Sequence, residues 1–174
     1  MTDLSVLPVA QLLLECFRAE TEALEVPPAS VSLRVGAQVE LLVALSRDEC
    51  CEGVGWVRVA AIYPSSTFPV ADAEWSPCAP AQWAAILEMG IARCAPTPSA
   101  EGIPSPDQWN AVAAAVLADA AAMRRAICCF EASERDRMNL PGLWTPLPVE
   151  GGCVGGTQQL TVAIGDCDCD DEAS

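Results

Sequence analysis

The tetrapeptide Ser105-Pro106-Asp107-Gln108 places the tightest local constraint on what this chain can fold into. A serine that can cap, a proline at the first helical position and a glutamine three residues after the cap together specify a helix start. The hydroxyl and the amide satisfy backbone groups that a helix N-terminus leaves without intrahelical partners. The alanine-rich run from Ala111 to Ala126 then carries Val112, Val116, Ala120, Met123 and Ile127 at helical spacing. This predicts a long helix ending near Cys128-Cys129, narrow enough on its alanine stripe to lie close on a sheet.

The remaining elements follow from changes of period. Leu12, Leu13, Cys16, Phe17 and Leu24 share one face of a helix over Pro8 to Leu24, with Pro8 in the first turn and Pro27-Pro28 as the stop. From Ala29 to Leu45 the period becomes two, and Gly36-Ala37 in its middle predicts a β-hairpin or one long bent strand. Gly55 to Tyr63 is a strand ended by Pro64, and Ser65 to Pro80 is a loop rich in turn residues. Trp83 to Cys94 is apolar on both faces, as a central strand requires. After the Ala95–Pro104 linker and the long helix comes a charged turn, Glu131 to Arg137, then strands at Leu143–Val149 and Thr157–Ile164 joined by Gly151 to Gly156. The order α-β-β-β-β-α-β-β is an α+β class with a mostly antiparallel sheet and two main helices on one face. The reading is one domain over residues 1–165 and an acidic tail over 166–174.

Composition narrows the chemistry. The 174 residues contain no histidine, and all nine basic residues are arginines. A Ser-His-Asp or Cys-His pair, an imidazole base and a mixed Cys/His zinc site are therefore excluded, as are a phosphate-clamping lysine and Schiff-base chemistry. The expected role is binding or assembly, with no catalytic, cofactor-binding or metal residues assigned. A formal charge of −15 argues against attraction to nucleic acid, and keeps the chain soluble. The start lacks a basic region before its short apolar run, and no stretch reaches the roughly 18 uncharged apolar residues of a spanning helix. The expectation is a protein made in a cytoplasm, with no membrane partner.

Ten cysteines are present, among them the local pairs Cys50-Cys51, Cys128-Cys129 and Cys167-Asp168-Cys169. None has the C-x-x-C spacing of zinc ribbons or redox centres. Two or three disulfides stapling loops are the preferred reading over an all-thiolate zinc site, with Cys16 as a small buried hydrophobe. Gly151 to Gly156 lacks a following lysine and a following helix, so it reads as a hairpin loop with left-handed glycines, not a phosphate cradle. Asp166 to Glu172 lacks the spacing of a calcium loop and reads as a solvated tail. Arg124-Arg125, Arg135 and Arg137 are expected to pair with Glu131 and Glu134 or to make a subunit contact.

Three runs carry a resemblance over roughly residues 54 to 167. They are Gly55-Trp56-Val57-Arg58-Val59 with Tyr63-Pro64 and Phe68-Pro69; Glu88-Met89-Gly90-Ile91-Ala92-Arg93-Cys94 before the alanine-rich helix ending in Cys128-Cys129; and Leu143-Trp144-Thr145-Pro146-Leu147 with Gly151-Gly152-Cys153-Val154-Gly155-Gly156. Together they resemble neck proteins of tailed phages infecting actinobacteria, and the element order is similar to siphophage tail terminators. The resemblance implies a structural virion protein forming a homo-hexameric ring. Such a ring caps the tail tube, stops its polymerisation and joins the tail to the head-side stopper, while DNA passes through the lumen without specific binding. It further implies a place in the virion neck after assembly in the host cytoplasm. The alternatives are the head-tail stopper itself, a more purely β type, or a Cys-based zinc or redox-regulated protein. Such relatives carry a Cys/His-rich stretch around the positions of Val31 to Gly53. Only Cys50-Cys51 stand there in this chain.

Overall fold

A computed structural model describes residues 6–34, 51–73, 82–98 and 102–166. The order is α1 (Val6–Glu22), β1 (Ser30–Arg34), β2 (Val54–Pro64), β3 (Gln82–Cys94), α2 (Pro106–Ser133), β4 (Asn139–Glu150) and β5 (Cys153–Asp166). Five strands form one sheet in the order β1-β2-β3-β5-β4, antiparallel except for the parallel β1–β2 pair. The α+β class and the central position of β3 are as the sequence predicts. The second arm of the expected hairpin, Val39 to Leu45, and the acidic tail beyond Asp166 lie outside the described residues.

Both helices cover one face of the sheet. Leu13 and Phe17 of α1 and Met123, Ala126 and Phe130 of α2 pack on Val57, Leu87, Met89, Leu160 and Val162, consistent with period two placing alternate strand residues on one side. The capping box is formed as its residues require: the Ser105 hydroxyl accepts from the Gln108 N–H at 3.3 Å, and the Gln108 side chain accepts from the Ser105 N–H at 2.8 Å. Two details of α2 differ from the sequence reading. Val112 and Ala120 are half-buried, with Asp119 and Ala126 buried instead. The helix also continues past Cys129 to Ser133, because Phe130 supplies one more buried position at helical spacing.

The glycine segment is a correction. Only Gly151 (φ 60°) and Gly152 (φ 80°) form the turn, a two-residue hairpin whose twist needs two left-handed residues. Gly155 and Gly156 lie within β5. There a Cβ on Gly155 would run into the Ile91 carbonyl, and one on Gly156 into the Trp144 indole. Pro141-Gly142 likewise lies inside β4, at a register shift between Pro141 and Trp144. The Gln158 amide donates to the Gly142 carbonyl across this bulge. Among the described strands β4 is an outer one, and it carries Pro141, Pro146 and Pro148.

On the opposite face of the sheet, Trp56 packs with Val54, Ala92 and Cys153. Its indole lies across Gly90, its register partner on β3, where any Cβ would overlap the ring. Gly90→Val is expected to cost about 1–3 kcal/mol by overpacking. Urea denaturation would show it as a lower midpoint with an unchanged slope. A midpoint equal to that of the parent would mean the indole moves aside freely.

Candidate assembly surfaces

Cysteine pairing sets the frame for the surfaces. Cys16 on α1 is bonded to Cys129 on α2, and Cys51 to Cys94 at the end of β3; Cys153 is also disulfide-bonded. Stapling was the expected use of the cysteines, but Cys16 was expected to be a thiol packed in the core. It is buried, and it is also half of the bridge between the helices. Cys128 is free and exposed, one residue from that bridge.

Two buried ion pairs hold the elements in place. Near the end of β3, Arg93 donates from Nε and Nη2 to both Asp119 carboxylate oxygens at 2.6 Å, and from Nη2 to the Val26 carbonyl at 2.9 Å. One guanidinium therefore ties β3, α2 and the chain following α1 together. Asp119 is 2 % exposed. Burial pushes its carboxyl above the ordinary carboxylate range, a rise partly offset by the hydrogen bonds and charge of Arg93. Above this pair is a recess of about 270 Å³, walled by Leu24, Val26 and the alanines Ala111, Ala114, Ala115 and Ala118.

The second pair lies on the other face, where Arg58 and Glu88 are register partners on β2 and β3. Nε and Nη2 of Arg58 donate to the two Glu88 oxygens at 2.7 and 3.0 Å. A second recess, of about 310 Å³, lies by the end of α2 between Glu134, Asp136, Arg137, Met138 and Gln82. Arg137 donates there to Glu134 at 2.8 Å and to the Ala163 carbonyl at 2.7 Å.

Both buried carboxylates are engaged through two oxygens by arginine, an arrangement that positions elements and favours no proton transfer. Among the described residues no group of three or more His, Cys, Asp or Glu could hold a metal ion, and no helix is long and apolar enough to cross a membrane. The Arg137–Glu134 pair is the one the sequence suggests. Arg125 instead reaches Glu20 on α1 at 2.5 Å, and among the described residues Arg124 forms no ion pair. The two buried pairs were missed by reading the sequence. Their signals were a lone acid inside the alanine run, Asp119, and a charge in each of two apolar strands, Arg58 and Glu88.

Between Ala111 and Ala118 the exposed surface of α2 is apolar. Trp109, Ala113, Ala114, Leu117 and Ala118 all face solvent, with Leu117 62 % exposed. An apolar stretch of this kind on the outer side of a helix that already packs on a sheet is ordinarily covered by another protein surface. On β4, the bulge turns Leu143 outward, 84 % exposed, between the exposed Leu140 and Val149. No protein-family model matches the chain, and no curated protein matches it.

Proposed function

We propose that this chain is a structural virion protein of the phage neck, a tail terminator that forms a homo-hexameric ring capping the tail tube and joining it to the head-side stopper. The observation that carries this reading is the apolar outer stretch of α2 from Ala111 to Ala118 in a protein whose formal charge is −15. Such a stretch needs a protein surface to cover it. The exposed apolar residues of β4 offer a second, different surface, and a closed cyclic ring uses two unlike complementary surfaces per subunit. The three sequence runs that resemble neck proteins supply the choice of particle. The 28-residue α2 favours a terminator over a more purely β stopper. A lumen presenting carboxylates would repel phosphates and let DNA slide past without sticking.

Light scattering after size exclusion, together with negative-stain imaging, tests the proposal. Rings of about six subunits are expected, alone or on the tube protein or stopper. Monomers in every condition, including with both partners, would overturn it.

A further inference from the structure

The two helices run antiparallel, side by side. This is fixed by the Cys16–Cys129 disulfide and, one turn along, by the Glu20–Arg125 ion pair. Each helix therefore turns another stripe away from its companion. On α1 that stripe is Leu7, Gln11, Glu15, Arg18 and Glu22, every residue exposed. On α2 it is Ala113, Leu117, Ala121, Arg124 and Cys128, of which only Ala121 is half-buried. Steps of three and four residues keep each set on one face.

The stripes differ in their free charge. The Arg18 guanidinium is engaged within the chain, its Nε and Nη2 both donating to the Val31 carbonyl at 2.9 and 2.8 Å. Glu15 and Glu22 form no ion pair among the described residues. The outer stripe of α1 thus offers two unpaired carboxylates beside Leu7. The α2 stripe offers the guanidinium of Arg124, which has no ion-pair partner among the described residues, beside Leu117 and alanines small enough for close helix approach. The arginine of the α2 stripe and the carboxylates of the α1 stripe are complementary in charge, so the α2 stripe of one copy matches the α1 stripe of another.

We infer that the α2 stripe of one copy docks against the α1 stripe of the next, with Arg124 facing Glu15 and Glu22. This interface is heterologous, since α1 and α2 supply the two different surfaces, and it rests on the ring reading given above. Repeated around an axis, it joins the helical layers of successive subunits into one belt.

Charge exchange tests this on the full chain, with assembly followed by light scattering across a concentration series. Arg124→Glu, and separately Glu15→Arg with Glu22→Arg, are expected to raise the assembly concentration at least about tenfold. Combining all three changes is expected to restore assembly. Circular dichroism matching the parent shows that the variants fold. A second route needs no charge change: Ala19 is exposed between Glu15 and Glu22, and Ala19→Cys should give a ladder of chains linked to Cys128 on mild oxidation of assembled rings. Parent rings that survive Arg124→Glu unchanged, or give no Ala19→Cys-dependent ladder, would overturn this interface while leaving the ring standing. A parent protein monomeric in every condition would overturn both.

Discussion

Asp119→Ala is expected to destabilise the fold by about 3–5 kcal/mol, because it strands the largely covered Arg93 guanidinium with the Val26 carbonyl as its one remaining partner among the described residues. The loss should spread to the chain between α1 and β1, since the same guanidinium holds Val26 in place. Urea unfolding monitored by tryptophan fluorescence would give the magnitude, and hydrogen exchange around Val26 its reach. A cost below about 1 kcal/mol, as for a surface pair, would show that the site admits water. The pH dependence has a definite sign. Burial raises the Asp119 carboxyl above its unfolded value, so around and above the ordinary carboxylate range the folded state binds more protons than the unfolded one. The contribution of this group is thus fully present below about pH 4 and falls as pH rises through the raised value. The stability gap between parent and Asp119→Ala should be wider at pH 4 than at pH 7; a gap that widens with rising pH would contradict the assignment.

Loss of the Cys16–Cys129 bridge is the second large effect. The two cysteines are 113 residues apart, and closing a loop of that size restricts the unfolded chain by about 5 kcal/mol in the chain-entropy description. Cys16→Ser with Cys129→Ser should show most of that loss. The other bridges shorten the free chain and trim it. Because α1 contacts the sheet through Leu13 and Phe17 as well, the variant should still fold, with α1 exchanging amide hydrogens sooner than α2. An unfolding midpoint unchanged by the double substitution would mean that core packing alone holds α1 in place.

How legible the fold was depended on whether a signal was local. The capping box of α2, the apolar two-faced β3 and the alternation in β5 are set by residues close in sequence, and each element forms where its pattern lies. The end of α2 and the extent of the glycine turn were not legible in the same way. Phe130 extends the helix because of what it packs on, and Gly155 and Gly156 are strand residues because Ile91 and Trp144 come close to them from other strands. The partnerships of the charged residues were the least legible. Arg58 meets Glu88, and Arg93 meets Asp119, through strand register and helix placement. Sequence spacing carries no record of either. The cysteines are similar: an even count suggests bridges, while the choice of Cys16 for Cys129 follows from how the helices pack.

The prolines of β4 bear on how this chain fails. An outer strand ordinarily presents a row of free amides onto which a stray copy can add, opening a route to fibrils. Pro141, Pro146 and Pro148 lack amide hydrogens, so that row is interrupted three times within one strand. A concentrated, misdirected stock of this protein should therefore precipitate as amorphous material through its exposed leucines and alanines, without the dye-binding cross-β order of amyloid.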